Sequence, residues 1–222
     1  MEKQMLDNIE SISLDGIESL TDIILSNEII EKIPIANVAS AIIKTGEMIY
    51  NKNLLKQTTN FIESLNGQEV SKEKLEKYRK KFLNDDKKRK AELERVLLYL
   101  NKNIDIEKSR LLAKFYVAYV NEEIKWEKFC EFASVINQIF IDDLTIIYNI
   151  YKDEPVKVVI YESYKISRLM AIGLLSNYSG AITVQELSSG KTGVREIYEK
   201  NELGELFVKI ATKEEVKKLL IN

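Results

Sequence analysis

Apolar residues recur at three- and four-residue spacing along most of the chain, the signature of helices that each bury one face. Over residues 5–31, Met5, Ile9, Ile12, Leu20 and the Ile23-Ile24-Leu25 cluster predict an amphipathic helix. Pro34 is tolerated in a first helical turn but not in a helix interior, so a break is expected near Ile33 and a second helix to about Tyr50. The next segment ends at Gly67, read as a left-handed stop. Ser71, Asp85 or Asp86, and Asp105 each precede a helical pattern and are placed to accept its first orphan N–H groups. From Lys125 the run Phe129, Phe132, Ile136, Ile139, Phe140, Leu144, Ile147 predicts one long helix with a strongly apolar face. Stripes of this kind are hidden by packing helices together, so residues 1–154 are expected to form a bundle of about six or seven helices.

The pattern changes after Asp153-Glu154-Pro155, where proline pushes the preceding residue out of helical geometry, and a domain boundary is expected there. Residues 156–175 predict a helix ending near Gly173, although 156–161 alone would also suit a strand. Residues 181–187 and 194–200 alternate well enough to pair across Ser-Ser-Gly-Lys-Thr-Gly, and the chain closes in helix. The fold class is therefore mainly α: a helical bundle, then a small α+β subdomain over residues 155–222.

Composition narrows the chemistry. There is no histidine, which removes Ser-His and Cys-His nucleophile pairs, imidazole bases and His-ligated zinc together. The single cysteine, Cys130, forbids an internal disulfide, fits a reducing cytoplasm, and reads as a small buried hydrophobe without a base to activate it. The acidic start lacks the basic and apolar regions of a secretory signal, and no apolar run approaches the roughly 20 residues that span a bilayer.

Charge is unevenly spread. Residues 2–31 hold eight acids against Lys3. Between Lys72 and Arg95 eleven bases face six acids, the densest part being Arg79, Lys80, Lys81, Lys87, Lys88, Arg89 and Lys90. Such clusters attract phosphate-rich polymers or an acidic protein face, and they also occur as the solvated side of two helices. The loop at 188–193 lacks the glycine of a phosphate-binding loop, since Gln185 stands five positions before Gly190. Asp142 and Asp143 are adjacent on a helical pattern, so they point about 100° apart and read as surface carboxylates rather than a metal site. Tyr148, Tyr151, Tyr161, Tyr164 and Tyr178 gather around the boundary, where rings with polar tips suit an interface or fill a core.

Four stretches taken together, IPIANVASAIIKTGEMIYNKNLLKQTTNFIESL, RKAELERVLLYLNKNIDIEKSRLLAKFYVAYVNEEIKWEKFCEFASVINQIFIDDL, ISRLMAIGLL and YEKNELGELFVK, resemble a bacterial and phage-borne family of helical proteins with a small winged-helix-like tail. The resemblance covers roughly residues 33–210 and implies an architecture more than an activity. A winged helix would place Arg168, Lys191 and Arg195 near DNA. From Lys165 onward, however, nine bases meet seven acids, a feeble surplus for phosphate neutralisation. The expectation is a non-catalytic protein without cofactor or metal, acting in phage and host conflict through a protein partner or a second copy. A winged-helix DNA-binding regulator is the alternative.

Overall fold

The computed structural model describes residues 52–151, 163–177 and 198–211, which are mainly helical, with eight helices and one two-stranded sheet. The chain divides into two compact units, Met1–Asn137 and Gln138–Asn222. The division falls upstream of residues 153–155, which lie outside the described residues, as do the helices expected over 5–31 and 34–50.

The first unit contains α1 (Lys52–Asn66), α2 (Lys72–Asn84), α3 (Asp86–Lys102), α4 (Ile106–Val120) and α5 (Trp126–Gln138). Helix α4 is the centre, because apart from Lys114 its residues from Leu111 to Val120 are aliphatic or aromatic on every side, and such a helix is stable only when surrounded. Residues 111–118 are all buried. It packs most extensively on α1, with Phe61 edge-on to Tyr116 at 5.9 Å, and its other rings meet α5 through Phe115–Phe132 at 4.7 Å and Tyr116–Phe129 at 5.3 Å. Each fully buried ring of this kind contributes roughly 1.5–3 kcal/mol relative to exposure.

A buried polar chain fixes the ends of these helices. Ser109 Oγ donates to Gln57 Oε1 at 2.6 Å and accepts from Asn103 Nδ2 at 3.1 Å, while Asn103 Oδ1 accepts from Asn137 Nδ2 at 2.5 Å. Gln57 Nε2 donates to the Ile104 carbonyl at 2.8 Å, so the α3–α4 connection is tied to α1 and α5.

Expected helix ends are realised in part. Asp85 caps α3, its Oδ1 accepting from the Lys88 amide at 2.9 Å. Ser71 and Asp105 occupy the cap positions of α2 and α4 without a side-chain cap bond. Helix α1 stops at Asn66, but Gly67 is not left-handed; among the described residues positive φ occurs at Gly173 (82°) and Glu122 (58°).

The second unit begins where the expected long helix from Lys125 breaks. Helix α5 ends at Gln138, amides of Asp143 and Leu144 bond back to the carbonyls of Phe140 and Ile141, and α6 (Asp143–Tyr151) starts anew. Apolar spacing alone does not register an interruption this short, whereas an acidic pair favours a helix start. One consequence is that Phe140, expected on the buried stripe, is 56% exposed.

Helix α7 (Ser163–Ala171) follows, then β1 (Ser176–Asn177), β2 (Tyr198–Glu199) and α8 (Glu202–Ala211). The strands are antiparallel, with Ser176 opposite Glu199 and Asn177 opposite Tyr198. The expected strand at 181–187 and the loop at 188–193 lie outside the described residues. Helix α7 ends in a complete Schellman motif, in which the Gly173 amide bonds to the Met170 carbonyl at 2.9 Å and the Leu174 amide to the Leu169 carbonyl at 3.0 Å. Asn201 caps α8 by accepting from the Gly204 amide at 2.8 Å, and its Nδ2 donates to the Gly173 carbonyl and to Ser176 Oγ, both at 3.0 Å. Tyr151 joins the same knot, donating to the Leu174 carbonyl at 2.9 Å and accepting from the Asn201 amide at 2.9 Å.

Candidate functional site

Three places concentrate polar chemistry, two in the first unit and one in the second. The most exposed is the basic surface of α2 and α3. Helix α2 buries Tyr78 and Phe82, and the rest of its sequence is dominated by lysine and glutamate that turn outward. Lys74, Lys77 and Lys81 recur at helical spacing on one side and converge on Glu122, which follows α4. Their Nζ atoms lie 2.5, 2.6 and 3.8 Å from its carboxylate oxygens. Three ammonium groups therefore share one carboxylate, and these four side chains together carry a surplus of positive charge. The hydrogen bonds from Lys74 and Lys77 hold the Glu122 carboxyl down from 4.5 to about 2, and the same contact raises the Lys74 ammonium.

The residues singled out from sequence fall around this cluster unevenly. Lys81 belongs to it. Lys80 and Lys87 are exposed, and neither has an ion-pair partner among the described residues. Arg79 is half-buried and pairs with Glu76 at 3.2 Å, Lys90 lies 3.9 Å from Glu94, and Lys88 lies 3.7 Å from Glu92. Arg89 lies on α3. Lys191 and Arg195 are outside the described residues. Counting charges found the surface, but Lys74, Lys77 and especially Glu122, which is distant in sequence, gain their importance only from the turn after α4.

The second place is internal. Glu92 is 1% exposed, and its carboxylate accepts from the hydroxyls of Tyr119 at 2.7 Å and Tyr78 at 3.1 Å, while the Tyr116 hydroxyl, 3.3 Å from the same carboxylate oxygen as Tyr78, bonds to Tyr78 at 2.5 Å. Burial pushes all three phenols up, and the charge of Glu92 adds to it. Phenols raised in this way stay protonated at neutral pH and serve as donors to Glu92 rather than as nucleophiles. The arrangement satisfies a buried carboxylate and joins α2, α3 and α4.

The third place, in the second unit, corrects the expectation that Asp143 is a surface carboxylate. Asp143 is 1% exposed and takes a bidentate pair from Arg168, Nη2 to Oδ1 at 2.8 Å and Nε to Oδ2 at 2.9 Å. The guanidinium lies 4.1 Å from the Phe140 ring centre and 5.4 Å from that of Tyr164, and both rings are more than half exposed. Arg168 is thus a partly exposed cation whose fork is already committed to an acid, and the bond to Asp143 raises its pKa further.

Cys130 is half-buried rather than fully buried, and its backbone carbonyl accepts from the Tyr99 hydroxyl at 3.1 Å. Burial raises its thiol pKa, opposite to the shift that makes a cysteine reactive at neutral pH. Among the described residues no group of three or more Cys, Asp or Glu side chains is placed to hold a metal ion, and no helix is long and apolar enough to cross a membrane. Comparison with protein-family models finds no match, and comparisons with curated proteins and with solved structures find none of significance.

Proposed function

We propose that this protein is a non-catalytic interaction protein whose α2–α3 surface docks an acidic protein face. The observation that carries the proposal is the imbalance at Glu122: three exposed or half-exposed lysines share one carboxylate, with Lys80 and Lys87 unpaired nearby. Such a surface steers and orients an anionic partner at little desolvation cost, since its cations remain in water until contact. The polar groups withdrawn from water, at Glu92 and at Asp143, are saturated by tyrosine and arginine donors and act in packing. The resemblance noted above adds phage and host conflict as the setting.

The test is fluorescence anisotropy with a labelled polyglutamate peptide and, separately, random duplex DNA. The proposal expects the peptide to bind, its affinity to fall steeply with salt, and Lys77→Glu with Lys81→Glu to abolish it. Tighter binding of DNA, or binding indifferent to the lysine changes, would replace it.

A second reading has one observation in its favour. Among the described residues of the second unit, a helix precedes an antiparallel strand pair and another helix follows it, an order that supports a wing and DNA binding. Against it, one of the two cations of α7, Arg168, is paired to Asp143 through two of its nitrogens. An electrophoretic shift at low salt separates the readings; the DNA reading expects a retarded band that Lys165→Glu removes.

A further inference from the structure

Helices α4 and α7 end in the same backbone motif with different residues at its left-handed position. After α7 that residue is Gly173; after α4 it is Glu122, whose amide bonds to the Tyr119 carbonyl at 3.0 Å while the Glu123 amide bonds to the Ala118 carbonyl at 2.9 Å. Left-handed backbone favours glycine, because a side chain crowds the following carbonyl. A glutamate there carries a conformational cost and, in return, sets one carboxylate among three lysines.

We propose that Glu122 is a built-in stand-in for a partner's carboxylate: it occupies the lysine cluster in the unbound protein and gives way when an acidic segment docks. This rests on the reading of the α2 surface as a docking face. Three features support displacement over a purely structural tether. Three ammonium groups face one carboxylate and remain partly exposed, so the cluster keeps a positive surplus that attracts further anionic oxygen. Lys77 and Lys81 are 52% and 57% exposed and Glu122 34%, so the exchange takes place in water, where an ion pair is readily broken. The tether is also duplicated by the preceding residue: Asn121 Oδ1 accepts from the Ser71 amide at 3.1 Å and Asn121 Nδ2 donates to the Glu69 carbonyl at 3.4 Å, fixing the start of α2 without Glu122.

The experiment measures polyglutamate affinity of the full chain and of Glu122→Gln and Glu122→Gly, with Lys77→Glu/Lys81→Glu as a control. The glycine variant relaxes the left-handed position, so loss of folding does not confound the result. Removal of an internal competitor raises affinity roughly two- to five-fold in both variants, the range of a surface ion pair. In the unaltered protein, the Glu122 carboxyl-carbon resonance shifts at peptide saturation toward that of a solvated glutamate. Equal or weaker binding by both variants, or an unmoved resonance at saturation, overturns the stand-in while leaving the docking surface intact. Binding unaffected by the lysine reversals overturns the docking surface itself.

Discussion

The guanidinium of Arg168 grips the carboxylate of Asp143 through two hydrogen bonds of 2.8 and 2.9 Å between residues 25 apart in the chain. One partner is almost wholly buried and the other is about a third exposed, so the two halves of the pair are not equivalent. Loss of Asp143 leaves a cation that can still reach water. Loss of Arg168 strands a buried carboxylate.

Arg168→Leu is therefore expected to destabilise the second unit more than Asp143→Asn does. An uncompensated buried carboxylate costs about 3 kcal/mol or more. Denaturant unfolding of the two variants, followed by circular dichroism, checks the order. Equal losses would mean that the carboxylate finds another donor when Arg168 is absent.

Among the described glycines, Gly204 has the closest neighbours. A Cβ there would lie 2.2 Å from both the Leu174 carbonyl oxygen and the Tyr151 hydroxyl, and 2.6 Å from Tyr151 Cζ. The first neighbour is backbone and the second is held by two hydrogen bonds, so neither yields cheaply. Gly204→Ala should cost about 2 kcal/mol or more. Its combination with Tyr151→Phe should cost less than the sum of the two changes, because both disturb the same contact. Thermal melts of the single and double variants supply the comparison.

These two contacts show what could be read in the sequence and what could not. Among the described residues, the helices expected after residues 71, 85 and 105, the Asp85 cap and the end of α7 at Gly173 follow from local patterns, and each is present. The break between α5 and α6 does not, since apolar residues keep their spacing across it. Asp143 resembles an exposed acid in sequence because its partner lies in another helix. Glu92 is one acid among the many charges of its segment, and only the tyrosines converging on it from α2 and α4 reveal it as buried. At the candidate docking surface, base counting located α2 and α3, while Glu122 was missed because a left-handed glutamate has no sequence signal. Its neighbours Asn121 and Glu123 are equally polar.

The tyrosine cluster around Glu92 makes the first unit sensitive to alkali. Tyr78, Tyr116 and Tyr119 have phenol pKa values raised in the folded state above the ordinary value near 10. A raised folded pKa contributes stability that is fully present below the unfolded value and is lost as pH rises beyond it. Unfolding is thus expected to set in above about pH 10, with these phenols ionising together as the unit opens. Tyrosinate absorbance followed with Trp126 fluorescence reports both events; Trp126 stacks on Phe129 at 5.0 Å beside Tyr119, so its emission senses the cluster. Tyr119→Phe, which removes the 2.7 Å bond to a charged acceptor, should lower stability at neutral pH by roughly 1.5–3 kcal/mol.

Glu122 governs the opposite limb of the pH profile. Its carboxyl is lowered from 4.5 to about 2 by Lys74 and Lys77. A depressed folded pKa contributes stability that is present above the unfolded value and is lost as pH falls toward the folded one, so its window runs between pH 4.5 and about 2. Within that window the unaltered protein should lose stability with a steeper slope than Glu122→Gln, and the two slopes should agree above it. Because the cluster is open to solvent, added salt should shrink the difference. Urea midpoints taken across the window at low and high salt test both statements. Parallel profiles at low salt would mean that the three lysines hold Glu122 no more tightly in the folded chain than water does, and the stand-in role proposed for it would lose its physical basis.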